Sequence, residues 1–485
     1  MKKIYLILLV LVVASCTKNF EEFNKDTKSP SKVAGETLFS SAVKSLADQN
    51  ASISVNLNVY NLFSQYVTET TYTDEANYDV ITRAIPGNEF RILYRDVLED
   101  LKESKDIINA TTYLPTEAGM KKNQLAIIEV LSVYTWQRIV DIWGNVPYSE
   151  SLNIDNTTPK YDDAATIYKD LFKRLDAAIA DLDAASGSFG GADFIYAGDV
   201  AAWKLFANSL KLKLGMSVID YSGLATEAKA AIEGAVTAGV FASNADNGAM
   251  TYLTASPNTS PVYIDLVLSG RFDFVAANTM VDIMVPIADP RLASYYQTRD
   301  TGSIPTPAYL GGIYGSNSAY ANYSPYGTAF LDPTLQSVLL DYTEVCFYLA
   351  EAAAKGFTVG GTAESFYNAG IESSILYWGG SAADVATYLL NPGVAYATAT
   401  GTFQQKIGTQ AWIASFNRGF LGWTFWRRLD YPLFNMPLSI SNYSDIPVRM
   451  TYPTVEQTLN AANYTAASSA IGEDLLKTKL FWDIH

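Results

Sequence analysis

Residues 333–356, PTLQSVLLDYTEVCFYLAEAAAKG, and residues 362–379, TAESFYNAGIESSILYWG, decide the fold. Each stretch repeats apolar side chains at intervals of three or four, the spacing that lines one face of an α-helix. A glycine-rich turn over residues 356–361 separates them. Ala350, Ala352, Ala353, Ala369 and Gly370 are small enough to let the two helices touch closely. The unit is a pair of packed helices.

The same period recurs upstream. In AATIYKDLFKRLDAAIADLDAA, Ile167, Leu171, Leu175, Ala178 and Leu182 form a stripe, with Asp162 or Asp163 as the N-cap. Trp203, Phe206, Leu210 and Leu214 form another. QLAIIEVLSVYTWQRIVDIW is apolar almost all round and is expected at the centre. Trp136, Trp143, Trp203 and Phe206 are expected in the core.

A chain of 485 residues exceeds what one compact core usually covers. Stacked helix pairs with loops inserted between them solve that without a second domain. The pairing is similar to a tetratricopeptide hairpin, although the full consensus of that repeat is absent. Residues 34–485 therefore read as one mostly α-helical domain with long irregular insertions.

The N-terminus reads differently. Lys2 and Lys3 precede the apolar run IYLILLVLVVA, which is too short to span a bilayer and suits a secretory signal peptide. It ends at Val13-Ala14-Ser15-Cys16, a lipobox pattern that predicts cleavage after residue 15 and lipidation of Cys16. The polar stretch TKNFEEFNKDTKSPSKV follows, so residues 16–33 form a lipidated cysteine and flexible tether, reaching roughly 20–25 Å. Glu21 and Glu22 lie near the cysteine, as in acidic export signals of surface lipoproteins.

Composition narrows the chemistry. A formal net charge of −16 without any Lys/Arg-rich run disfavours nucleic acid. The single histidine is His485, which leaves none for a Ser-His-Asp triad or an ordinary zinc site. Cys346 sits in an apolar helical stretch and reads as a buried, inert thiol. No phosphate-binding glycine loop is present. No cofactor and no metal are expected, although an oxygen-only calcium site would leave no clear signature. A carboxylate pair, as in glycoside hydrolases, is the one catalytic class that composition leaves open.

The 32 tyrosines are the positive signal. Two tyrosine-bearing stretches lack any helical period: YVTETTYTDEANYDV (66–80) and YYQTRDTGSIPTPAYLGGIYGSNSAYANYSPYGTAF (295–330). Both mix rings with turn-forming residues. Flat rings suit the C–H faces of sugars, while Asp, Asn and Arg read hydroxyls; peptides would be accepted nearly as well. The expected ligand face comprises Tyr72, Asp74, Asn77 and Tyr78 from the first stretch, and Tyr309, Tyr314, Tyr320 and Tyr323 from the second.

Several segments in order, RIVDIWGNVPYSESL, WKLFANSLKLKLGM, DYTEVCFYLAEAAAKG with YNAGIESSILYWG, QAWIASFNRGFLGWTFWRRLDYP and IPVRMTYPTVEQTLNAANY, make the chain resemble the SusD/RagB family of outer-membrane nutrient-binding lipoproteins, in its SusD-like branch. Two departures stand out. NKDTKSP occupies the place of the Asn-x-Asp-Pro-Asn run that often follows the anchor, and Lys213-Leu214-Gly215 stands where an Arg-Leu-Ala pattern is common. The resemblance implies a tetratricopeptide-like scaffold with a ligand face on non-helical insertions and no catalytic activity. It also implies glycan or, in the RagB manner, peptide capture at the outer membrane, and a TonB-dependent SusC-like β-barrel transporter as partner. The matching segments belong to the scaffold, so they carry over no binding residue.

The anchor reading has a direct test. Cys16→Ser is expected to abolish acylation and move the protein out of the membrane fraction. Retention of this variant in membranes washed with high salt would show that the lipobox was misread.

Overall fold

The computed structural model describes residues 33–300, 302, 307–439 and 445–484. Cys16, the signal peptide and tether residues 17–32 lie outside the described residues. The chain is mostly helical, and its helices pack in pairs. These are α1 (Gly35–Ala51) with α2 (Asp100–Ala110), α3 (Ala118–Trp143) with α4 (Ala164–Asp181), α5 (Val200–Val218) with α6 (Ala225–Ala238), α7 (Tyr342–Ala354) with α8 (Ala363–Tyr377), and α9 (Phe403–Ala414) with α10 (Gly419–Leu429). Successive pairs stack: α2 on α3, α4 on α5, α5 on α7, and α7 on α9. The tetratricopeptide-like scaffold read from the sequence is the architecture observed.

The helices form where their stripes place them. The side chain of Asp163, rather than Asp162, caps α4 by accepting the Thr166 amide at 2.8 Å. Asp162 instead accepts the Ser149 amide at 2.7 Å. The central helix is α3, buried on most sides from Asn123 to Trp143. Trp136, Trp143, Trp203 and Phe206 all lie in the core. Gly370 brings α8 against α7, since a Cβ there would lie 3.0 Å from the Phe347 ring.

One boundary departs from the sequence reading. Helix α7 does not begin at Pro333; Ser337–Leu340 is an extended strand, and the helix starts after Asp341, whose side chain accepts the Glu344 amide at 2.8 Å. The strand partner Gly248–Met250 takes up the backbone hydrogen bonds of this segment. A capping aspartate and a waiting strand outweigh weak helical periodicity.

Buried ion pairs hold the stack in register. Arg138 on α3 meets Glu89 at 2.9 Å, and Glu89 also accepts the Tyr60 hydroxyl at 2.7 Å. Arg428 on α10 meets Glu351 on α7 at 2.9 Å, and Arg418 meets Asp341 at 2.8 Å. A buried charge left without its partner would be costly, which specifies how these elements sit.

Two long insertions leave this scaffold, residues 52–99 between α1 and α2 and residues 239–341 between α6 and α7. Six short strands occur among the described residues: β1 (Val67–Glu69), β2 (Val146–Pro147), β3 (Tyr161–Asp162), β4 (Gly248–Met250), β5 (Phe274–Ala276) and β6 (Ser337–Leu340). They pair antiparallel as β1–β5, β2–β3 and β4–β6. The β1–β5 pair is the one that joins the two insertions. Among the described residues no helix is long and apolar enough to cross a membrane.

The Lys213-Leu214-Gly215 departure has a packing consequence. Lys213 reaches Glu344 at 3.5 Å, and a Cβ on Gly215 would lie 2.7 Å from Ile232 Cγ1 and 2.9 Å from the Ala228 carbonyl of α6. Gly215→Ala is expected to destabilise the protein by about 1–3 kcal/mol in chemical denaturation, because overpacking exceeds the gain in helix propensity. A stabilised variant would show that α5 and α6 can separate freely.

Candidate functional site

The two irregular stretches meet. β1 pairs with β5 in the register Val67↔Ala276, Thr68↔Val275 and Glu69↔Phe274. The 309–326 loop closes over the other side of this ladder, with the Gly312 amide donating to the Ala276 carbonyl at 2.8 Å and the Ala276 amide to Ser324 at 2.7 Å. At Gly311 a Cβ would lie 2.5 Å from the Asn278 Cα, so glycine is required for this approach. Gly315 adopts φ +76° and leaves no room for a Cβ beside Pro437.

Three of the expected ligand residues are internal ties. Tyr314 is 1% exposed and donates its hydroxyl to the Leu62 carbonyl at 2.7 Å. Tyr78 is fully buried, its ring packed on Phe63 and Tyr314 and its hydroxyl accepting from Gln65. The Asn77 amide group donates to the Thr73 and Gly315 carbonyls and accepts the Ser439 amide, which joins three loops. These three residues are therefore removed from the ligand face. The cause is general: a loop without regular structure must satisfy its backbone from somewhere, and here polar side chains and buried phenols do so.

The remaining expected residues divide. Tyr72 is 65% exposed and Asp74 is exposed. Tyr320 and Tyr323 are half-buried on a turn held by Arg299, whose guanidinium donates to both backbone carbonyls at 3.1 and 2.8 Å and lies 5.0 Å from the Tyr320 ring centre. Tyr309 is half-buried and packs against the core edge.

Two residues of this face, Arg271 and Phe272, were not singled out in the sequence. Phe272 is 59% exposed and its ring lies 4.6 Å from that of Tyr320. Arg271 is exposed, pairs with Asp273 at 2.6 Å, and lies within electrostatic reach of Tyr72. A depression of about 240 Å³ lies beside the pair of rings, walled also by Arg271, Gln297 and Tyr326. The available signal was SGRFDF (269–274), an aromatic next to glycine outside any period. Tyrosine density does not reveal it, because the exposed ring is a phenylalanine.

Rings with exposed faces, a guanidinium and amide groups at their edges can stack an apolar ligand surface and bond its polar rim. Beneath them lies an acidic pair. Glu69 is 4% exposed and accepts the Ala76 amide at 2.9 Å, while Glu75 is fully buried and bonded by Arg83. Burial, with the Glu75 carboxylate close by, pushes Glu69 up to about 9. Arg83 bonds Glu75, whereas Glu69 lies against that carboxyl with no cation bonded to it, so Glu69 holds a proton at neutral pH. Among the described residues no group of three or more histidine, cysteine or acidic side chains is placed to hold a metal ion.

The acidic pair sets a pH dependence. Glu69 ionises near its ordinary value of 4.5 when unfolded and only near 9 when folded. Between those values the folded state holds the extra proton, so stability falls as pH rises through that window, by up to about 1.4 kcal/mol per unit. Glu69→Gln is expected to raise the melting temperature at pH 7–8, with a gain that grows from pH 5 upward. Parallel pH profiles for variant and parent would refute the proton on Glu69.

The family described as SusD-like, starch-binding and associating with the outer membrane matches residues 27–453. Among solved structures, a chitin-binding protein superimposes with a TM-score of 0.79 at 26% identity, covering 93% of this chain and 100% of its own. A chitin-binding SusD homologue from Flavobacterium johnsoniae gives 0.77 at 25% identity, with 93% and 99% covered. A SusD homologue from Bacteroides thetaiotaomicron gives 0.77 at 23% identity over 94% of this chain and 100% of its own. None of the curated proteins matches the sequence. With helix pairs carrying two loop insertions that meet at one face, and a family match across nearly the whole chain, this protein belongs to the SusD-like family.

Proposed function

We propose that this chain is a lipid-anchored protein of the outer membrane that captures a glycan at the cell surface and passes it to a TonB-dependent β-barrel transporter of the SusC type. The observation that carries the reading is the pairing of the exposed Phe272 with the half-buried Tyr320, flanked by Tyr72 and Arg271, on loops projecting from a SusD-like scaffold. Chitin-type oligosaccharides are the first ligands to examine, because two similar structures are of chitin-binding proteins. The anchor rests on the lipobox at Cys16.

The same reading makes the protein non-catalytic. Cys346 is buried, and burial pushes its thiol up to about 12, far from the reactive range. Glu69 and Glu75 are shut beneath the loops, where no glycosidic bond can reach them.

Single rings contribute about 0.5–1.5 kcal/mol when they stack as aromatic pairs do. Tyr72→Ala and Phe272→Ala together are therefore expected to weaken binding of chitin oligosaccharides by roughly 5- to 150-fold in titration calorimetry, with melting unchanged. Tyr314→Ala should instead lower the melting temperature. Full affinity in the double variant would remove this face from the site, and tight binding of peptides alone would overturn the glycan reading.

A further inference from the structure

The depression of about 240 Å³ beside the Phe272 and Tyr320 rings has a chemistry of its own. Its walls are mostly apolar, from Leu266 and Val267 of a π-helical turn, Ile264–Leu268, and from Pro325 and Leu331 on the loop that also carries Tyr320. Val267 and Leu331 are each 38% exposed, so apolar surface stands open to water beside the rings. A small apolar group placed there would release that water. π-Helical turns also recur at functional positions.

The charges at its edge cancel. Arg271 holds Asp273 through two contacts, Nε to Oδ2 at 2.6 Å and Nη2 to Oδ1 at 3.2 Å. A charged ligand group would lose its hydration there without meeting an unmatched partner, so a neutral group is favoured.

The directing polar group is the amide of Gln297, which lines the same space. A backbone bridge between Tyr296 and Tyr326 fixes its place in the chain. Its main-chain N–H donates to the Pro325 carbonyl at 2.9 Å, and its side-chain nitrogen donates to the Tyr326 carbonyl at 2.8 Å. Both nitrogens are used within the loop. The side-chain oxygen is therefore the end of this amide left to accept from a ligand N–H.

These features select among the groups that a sugar ring can carry. A hydroxyl pressed between Val267 and Leu331 would give up water without a bond in return. An O-methyl or O-acetyl group brings an apolar end but no N–H for Gln297. An acetamido group brings both, and its carbonyl can accept from the Arg271 guanidinium.

We propose that this depression is an acetamido subsite, in which Val267 and Leu331 take the methyl group and Gln297 the N–H of an N-acetylated amino sugar stacked on Phe272 and Tyr320. The proposal rests on the glycan reading above and deepens it. It names the residues that make N-acetylated chains preferred over unsubstituted chains with the same backbone.

The test titrates the full-length protein, purified in detergent, with β-1,4-linked N-acetylglucosamine oligosaccharides and with cello-oligosaccharides of the same length, which lack the acetamido group. The acetylated chains should bind about tenfold more tightly, the scale of one buried methyl group with one neutral hydrogen bond. Val267→Trp fills the space and Gln297→Met removes the acceptor at similar length, and each should bring the two affinities close together. Leu390→Trp, 81% exposed beside the scaffold helix Ala382–Leu389, should retain the ratio. Saturation-transfer difference NMR on the parent gives a readout that needs no variant: the acetyl methyl protons should receive more saturation than the sugar-ring protons. A ratio that survives in Val267→Trp and Gln297→Met with melting unchanged would overturn the subsite, as would a methyl less saturated than the ring protons. If both variants melt early, the spectra decide alone. Binding of the cello-oligosaccharides as tightly as the acetylated chains would overturn the subsite and leave the glycan reading standing, whereas failure of both to bind would overturn that reading with it.

Discussion

Three backbone rungs between Val67–Glu69 and Phe274–Ala276 hold together the part of this molecule that can meet a ligand. About two hundred residues of scaffold separate the two strands in sequence, so the ladder forms only once the helix pairs have brought the insertions side by side. Long-range pairing of this kind bears its loop-closure cost before any contact rewards it. The stacked pairs reduce that cost by fixing the points from which both insertions leave. The 309–326 loop then adds to the second side of the ladder, and the glycines of YLGGIYG allow the backbones to approach.

The division of labour follows from where polarity is tolerated. Within the scaffold, buried charge is paired at contacts between helices, as at Lys213 with Glu344 and Arg428 with Glu351. These pairs specify register, because either member alone would be an uncompensated buried charge. Within the loops, polarity is spent on backbone groups that no regular structure satisfies. Asn77 ties its own turn to Gly315 and Ser439, and Arg299 clamps the turn that presents Tyr320. Rigid loops on a rigid stack let exposed rings keep fixed positions, which reduces the ordering cost of binding.

The unbalanced acids stand apart from this pattern. Arg83 bonds Glu75 but no cation bonds Glu69, and burial with the neighbouring Asp273 pushes the Asp265 carboxyl up. In the scaffold Glu344 meets both Lys213 and Arg418, and Glu351 meets both Arg428 and Lys355, whereas Glu69 beneath the loops meets no cation. Departures from full satisfaction concentrate where a protein binds something, since a perfectly compensated surface has nothing left to offer.

The helices were legible because a helix is a local object. Its stripe repeats every 3.6 residues and its cap lies within one turn, so Asp163, Trp203 and the apolar α3 announce themselves in short windows. Where a partner strand competed, as at Ser337–Leu340, the local signal gave way. Family membership was legible for the same reason, through scaffold segments in a set order. The ligand face was only half legible. Tyr72 and Tyr78 stand six positions apart in one irregular stretch with the same kind of neighbours, yet one is 65% exposed and the other fully buried. Sequence determined that rings would gather in two loops; tertiary structure alone decided which of them face outward, and added Phe272 from a third segment. In a loop the direction of a side chain is set not by a period but by whichever distant backbone needs its hydrogen bond, and for Asn77 that backbone is Gly315.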